Sequence, residues 1–205
     1  MASQHTLYSA ANTCAQAVLI ALYEAGAQFT LKTLSFANHE QRSPEYLAIS
    51  PKGRVPALVT PRGVLTEVPA LLLYVAQTWP QAALAPLDDP FALAQMQEFN
   101  AYLASTVHIA HAHRPRAYRW ADDEAAQAAM RAKVPQNMRE CFDVIENHYL
   151  GDKRWVMGEQ FSVADGYLYT VAGWLQADGV DSAEFPRVAA HAERMRARPS
   201  VQRLG

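Results

Sequence analysis

Cysteine is scarce in this chain: Cys14 and Cys141 are the only two, and they lie far apart. Two such residues build no disulfide framework and suit a reducing compartment. Long apolar runs are also missing. None approaches the roughly 18 residues that a membrane span requires, so a membrane protein is not expected. The N-terminus lacks a basic region followed by an apolar core, the pattern of a secretory signal. Positive charge is not in excess: 18 Lys and Arg stand against 20 Asp and Glu, a formal net charge of −2. A nucleic-acid binder ordinarily carries a basic face, so nucleic acid is not an expected partner. The arginines at 194, 196, 198 and 203 read as a solvated helix face. There is no internal repeat and no low-complexity tract beyond a mild alanine bias. What remains is an ordinary globular protein, expected in the cytoplasm.

Half of the 205 residues are hydrophobic, enough core for one or two small domains. Residues 5–8 read as a short strand and 9–13 as a loop. Cys14, Val18, Ala21, Leu22 and Ala25 recur at helical spacing, and Gly26 ends that helix. Residues 29–34 alternate like a strand, with Phe29, Leu31 and Leu34 on one face. Ser43-Pro44-Glu45 opens a short helix that ends near Ile49. Then comes the densest signal, Ser-Pro-Lys-Gly-Arg-Val-Pro-Ala-Leu-Val at 50–59. Pro51 and Gly53 punctuate a turn, and residues 55–59 suit a buried strand. Pro61-Arg62-Gly63 reads as a hairpin loop. Thr66-Glu67 opens a helix with Pro69 in its first turn, where a missing N–H costs nothing. Its stripe is Val68, Leu71, Leu72, Val75, Ala76 and Trp79. Spacing alone leaves the isomer of the Val55–Pro56 bond open.

Residues 79–90 form a proline-rich connector, after which strand signals nearly vanish. Ala92, Met96, Phe99, Leu103, Val107 and Ala110 trace one long amphipathic helix, stopped near Pro115. Residues 122–133 are alanine-rich and helical, and Pro135 either kinks that helix or follows the start of a new one at Val134. Met138, Phe142, Ile145 and Tyr149 continue the stripe to Gly151. Ser162 and Asp165 have the spacing of a capping box. The helix they open runs to Leu175, Asp178-Gly179 turns the chain, and residues 187–198 are the last clear helix.

Two clusters carry chemical interest. Cys14 stands at a helix N-terminus, where orphan N–H groups and the dipole favour a thiolate. The competing reading is a small apolar residue on the Cys14–Val18–Leu22 stripe; Cys141 reads as core. Ser105, His108 and His111 are three apart and share the helix face opposite Met96, Phe99 and Leu103. With His113 they could meet a metal, but no carboxylate or cysteine completes the set, so no metal is expected.

The 50–59 stretch, followed by Leu65-Thr66-Glu67 and a helix, resembles the glutathione-binding segment of the glutathione transferases. The cysteine-containing bacterial members are most similar, and the resemblance covers nearly the whole chain. It implies an α/β thioredoxin-like domain at 1–80 and an all-helical domain at 88–205 carrying the second-substrate side of a cleft. It implies a cis Val55–Pro56 bond, with the Val55 backbone on the cysteinyl part of glutathione. Glu67 and the Val68 N–H would hold the γ-glutamyl end, and Lys52 and Arg54 a carboxylate. Many relatives have Ser where Val68 stands, so one hydrogen bond is missing. Cys14 would meet the sulfur, with Thr13, Ser9 and Asn12 as rivals. Ser105 and His108 would face the sulfur from the long helix, and Ile109 replaces a frequent Lys. His111, His113, Arg114, Arg116 and Tyr118 would line the second-substrate pocket. Glutathione is then a substrate and the protein a homodimeric detoxification enzyme. The implied reaction is conjugation of the thiol to small, largely apolar electrophiles, or thiol–disulfide exchange through Cys14. A glutathione-dependent isomerase or dehalogenase, and a non-catalytic partner-binding protein of the same fold, are the alternatives.

Overall fold

The computed structural model describes residues 5–204. Strands β1 (Thr6–Ser9), β2 (Thr30–Thr33), β3 (Ala57–Thr60) and β4 (Gly63–Thr66) form one sheet in the order β2-β1-β3-β4. The β1–β2 pair is parallel and the other two are antiparallel. Helices α1 (Ala15–Glu24), α2 (Pro44–Ile49) and α3 (Val68–Thr78) complete the expected βαβ-α-ββα unit. The register places Leu31, Leu7, Leu58 and Leu65 in a row across one face. Leu7 and Leu58 are fully buried in one cluster with Val18 and Leu22 of α1 and Leu71 and Leu72 of α3. On the other face Ala57 packs with Tyr46 of α2.

Three local expectations are corrected. Leu31 is 40% exposed, because β2 is an edge strand exposed along its length. Phe29 packs with the Tyr23 cluster and Leu34 with the Tyr46 cluster, so they do not share a face. Strand β3 begins at Ala57, immediately after a cis Val55–Pro56 bond. The caps agree with the sequence: Ser43 Oγ accepts the Tyr46 N–H at 3.2 Å, and Gly26 leaves α1 with φ +63°.

The remainder is helical: α4 (Pro90–Tyr102), α5 (His108–Arg116), α6 (Glu124–Val144), α7 (Val163–Ala172), α8 (Pro186–Arg196) and a short α9 (Pro199–Gln202). Asp89 caps α4 by accepting the Phe91 and Ala92 N–H groups, both at 3.0 Å. The long helix expected over 92–115 is interrupted by a π turn at Leu103–Val107. It continues through Pro115, which lies in the last turn of α5. Helix α6 runs through Pro135 rather than restarting at Val134, and Gly151, with φ +50°, closes the π turn after it.

Helix α7 is the pillar against which α1 packs. A Cβ on Gly166 would lie 3.2 Å from Ile20 Cγ2, so glycine lets the two helices approach closely. The expected capping box is present, but Asp165 does more than cap. Its carboxylate is fully buried and accepts the Ser162 and Val156 N–H groups, each at 2.8 Å, with His191 Nε2 at 3.0 Å. The arginine-rich C-terminus is not simply a solvated face. Arg198 pairs with Glu24 at the end of α1 through two bonds of 2.6 and 2.7 Å and lies over the Phe161 ring. Partners elsewhere in the chain, invisible to helical spacing, cause that difference. Among the described residues no helix is long and apolar enough to cross a membrane.

Candidate functional site

Four segments converge on a cleft of about 1170 Å³: residues 11–14 at the start of α1, residues 52–56, the β4–α3 junction, and α5 with the turn after it. The first wall is built by backbone. The Arg54 carbonyl accepts from Tyr46 Oη at 2.7 Å and Ser50 Oγ at 3.2 Å, which holds the chain entering Val55. Val55 lines the cleft, and its N–H has no hydrogen-bond partner among the described residues. Its carbonyl lies 3.9 Å from Cys14 Sγ. Gly53 belongs to this wall for a steric reason: it has φ +59°, and a Cβ there would meet Arg42 Nη1 at 2.8 Å and the Gln41 carbonyl at 2.9 Å.

The second wall is the β4–α3 junction. Glu67 has φ +70°, unusual for a residue with a side chain, at the N-cap of α3. Its carboxylate faces Lys52 Nζ at 2.5 Å, and the same ammonium donates to Thr66 Oγ1 at 2.7 Å. Lys52 is therefore partnered within the protein, whereas Arg54 is exposed at the cleft. The Val68 side chain is only 4% exposed and belongs to the core, although the residue borders the cleft.

Cys14 occupies the N-cap of α1, as its position in sequence suggests. Its thiol is nevertheless not a ready thiolate. Burial pushes it up to about 11; the Arg116 charge and a backbone hydrogen bond pull it down, and Glu67 pushes it up further. The expected helix-end activation is thus corrected: loss of solvent at a residue 7% exposed outweighs it. Thr13 also lines the cleft, with its hydroxyl donating to the Ala10 carbonyl at 2.8 Å. Ser9 does not line it. It lies buried at the end of β1, where its carbonyl accepts the Leu34 N–H. Asn12, in the left-handed region at φ +55°, does border the cleft.

Helix α5 forms the opposite wall. His108 and His111 line the cleft, but Ser105 does not. Ser105 is exposed, and its hydroxyl donates to the Ala101 carbonyl at 2.8 Å. The π turn explains the correction. A wider turn shifts the residue stacked above His108, and Ala104 takes the cleft position instead. Burial pushes His108 down to about 4, helped by the charges of Arg116, His111, Arg54 and Arg119, so its imidazole is neutral at pH 7. His111 Nδ1 meets the fully buried carboxylate of Asp178 at 2.8 Å, and its ring stacks on Trp174 with centroids 4.3 Å apart. His113 instead packs on Trp120 at 4.4 Å. Among the described residues no group of three or more His, Cys, Asp or Glu is arranged to hold a metal.

Tyr118 borders the cleft, as expected, with 60% of its surface exposed. Beside it stand residues that sequence reasoning passed over: Arg119, Trp120, Tyr167, Trp174 and Asp178. No local signal marks Asp178. It lies within a turn and meets a histidine 67 positions earlier.

Residues 3–77 match the family model for the glutathione S-transferase N-terminal domain, and residues 95–199 match that for the C-terminal domain. A glutathione transferase homologue from Sulfitobacter, solved with bound glutathione, is 45% identical with a TM-score of 0.95, over 100% of this chain and 97% of that one. The glutathione S-transferase of Xylella fastidiosa is 31% identical, with a TM-score of 0.87 over 97% and 96% of the two chains. Glutathione S-transferase GstA of Escherichia coli O157:H7 is 30% identical over 96% of this chain and 94% of its own. A maleylacetoacetate isomerase of Pseudomonas aeruginosa is 29% identical over 80% and 76%. Two domain matches in the order of the fold, and identity sustained along the whole chain, lead to one conclusion: this protein belongs to the glutathione S-transferase family.

Proposed function

We propose that this protein binds glutathione between the first two walls of the cleft and conjugates its thiol to a small electrophile held against α5. The observation that carries the reading is the open backbone of Val55. Its N–H has no partner among the described residues and its carbonyl lies 3.9 Å from Cys14 Sγ, so an extended cysteinyl residue can pair with this backbone. The α3 N-terminus suits the γ-glutamyl carboxylate, because orphan N–H groups and the helix dipole favour an anion. Glu67 suits the γ-glutamyl ammonium, with Lys52 holding its carboxylate in place. Arg54 is free for the glycyl carboxylate. A relative solved with bound glutathione supports glutathione as the ligand.

In this reading the glutathione sulfur is the nucleophile and its proton leaves to solvent. The start of α1 stabilises the thiolate, with the Cys14 S–H as a weak donor and neutral His108 as a second polar contact. Exchange through Cys14 would need its thiolate, which burial opposes. Residues 1–80 and 88–205 then act as the two halves of a cytoplasmic homodimeric detoxification enzyme, as the family resemblance suggests.

Retention on immobilised glutathione, followed by turnover of a general electrophile, tests the proposal. Retention with turnover is expected, and Cys14→Ser should keep conjugation within a few-fold. No retention and no turnover would overturn it in favour of a binding protein of this fold. Disulfide exchange lost completely in both Cys14→Ser and Cys14→Ala, without any conjugation in the parent, would favour the exchange reaction.

A further inference from the structure

The cleft holds more positive charge than its own carboxylates match. Among the described residues, Glu67 and Asp178 are the only acidic ones lining it, and they are engaged by Lys52 and His111. Arg42, Arg54, Arg114, Arg116 and Arg119 also line it, and none forms an ion pair among the described residues. Arg42 and Arg54 lie on the wall given above to glutathione. The others lie across the cleft, at the end of α5 and in the turn after it.

Arg116 is the most demanding of these. It is partly buried at the C-terminal end of α5, and its Nε is buried with no hydrogen-bond partner among the described residues. Burial weighs most on its guanidinium, and the like charges of Arg119 and Arg54 add to it against the opposing influence of Cys14 and Tyr118. A cation so placed is poorly satisfied until an anion reaches it. The helix end favours a cation at this position but supplies no partner for that Nε. Aromatic side chains line the same cleft. Trp174 stands behind the cleft, and Tyr118 and Trp120, 60% and 43% exposed, stand at its rim. Arg119 already lies over the Tyr118 ring at 6.0 Å.

We propose that the second substrate is a planar, conjugated carboxylate, its anion held by Arg116 with help from Arg119 and its unsaturated body lying against Tyr118, Trp120 and Trp174. This rests on the transferase reading for its role, and it replaces the largely apolar electrophile expected from sequence. A guanidinium suits this ligand because its fork matches a carboxylate and its face stacks on conjugated groups. Glutathione's own carboxylates are accounted for on the other wall, so this charge is left for a second molecule.

Calorimetric titration with trans-cinnamate and with trans-cinnamamide, near neighbours in shape that differ in charge, tests the proposal. Each is measured with and without saturating S-methylglutathione. Cinnamate should bind about tenfold or more tightly than the amide, the effect of one charged hydrogen-bonded pair. Arg116→Gln should abolish the preference, Arg119→Gln should narrow it, and Arg116→Lys should retain part of it. Arg62→Gln, on the exposed β3–β4 turn, should leave it unchanged. Equal affinities, no binding of either compound, or a preference that survives Arg116→Gln in a protein with parental circular dichroism would overturn the proposal. Retention on glutathione resin is scored separately. Retention with equal affinities defeats the carboxylate site and leaves the transferase reading standing. A cinnamate preference without retention leaves the anion site standing and removes its role as a second-substrate site.

Discussion

Cys14 sits at the amino end of α1 with 7% of its surface exposed, and these two facts act on its thiol in opposite directions. Burial prevails and the thiol stays protonated near neutrality. Iodoacetamide should therefore label Cys14 slowly at pH 7 to 8, with a rate that climbs toward about 11. Mass spectrometry of the Cys14 peptide gives the profile, and a plateau below pH 8 would contradict it. His108 makes the complementary case. Its imidazole is pushed down to about 4 from an ordinary 6.5, mainly by burial. Between those values the unfolded chain binds a proton that the folded chain does not, so stability falls as pH drops through that window and levels off below it. Denaturant titrations at pH 7.5, 6, 5 and 4 should show this slope, and His108→Asn should flatten it.

At the scale of single elements, the N-termini of α3 and α7 show the cost and use of capping. Val68 is the first residue of α3, where a hydroxyl would add a second donor for a bound carboxylate. Val68→Ser should tighten glutathione binding by about 0.5–1.5 kcal/mol. The same change removes a side chain only 4% exposed, so it should also lower stability by about 1 kcal/mol. Calorimetry and urea melts of one variant separate the two effects. At α7, an ordinary cap at Asp165 would contribute roughly 0.5–2 kcal/mol. The structure raises that figure, because the same carboxylate also serves Val156 and His191 in a fully buried site. Asp165→Ala should cost about 3–5 kcal/mol, the usual range for breaking a buried pair, read from the urea midpoint. A loss near 1 kcal/mol would show that the network contributes little beyond the cap.

Across the whole molecule, α1 is held from two sides. Gly166 allows α7 to close on it, and Glu24 at its end is clasped by Arg198 and Ser200 from the C-terminus. Burial raises the Glu24 carboxyl, but the Arg198 and Ser200 hydrogen bonds and the Arg198 charge outweigh it and leave the net shift downward. A carboxyl lowered in the folded state stabilises fully above its unfolded value and loses that contribution as pH falls through the folded one. Glu24→Gln should therefore cost about 2 kcal/mol at pH 7, with the gap to the parent closing below pH 4.5. Thermal melts at pH 7, 5, 4 and 3 check this. A constant gap would mean that the amide loses packing rather than charge. The clasp also bears on function, since Cys14, the N-cap of α1, lines the cleft.

The sequence by itself determined much of this molecule. The apolar stripes of α1, α3, α4 and α6, the Ser43 and Ser162 caps and the Gly26 stop are local, because helical periodicity and turn chemistry act over a few residues. The Ser50-to-Val59 stretch with Thr66-Glu67 also carried the family resemblance, since backbone recognition needs its residues close together in sequence. The tertiary structure alone decided how those residues behave. The Cys14 thiol depends on how much solvent distant segments exclude. Ser105 left the cleft because a π turn changed which residues stack above one another, which three-residue spacing does not reveal. Asp178 met His111 and Glu24 met Arg198 across 67 and 174 positions, through contacts made only when helices pack. Charge and solvation are sums over all neighbours in space, and neighbours in space are what a linear pattern does not specify.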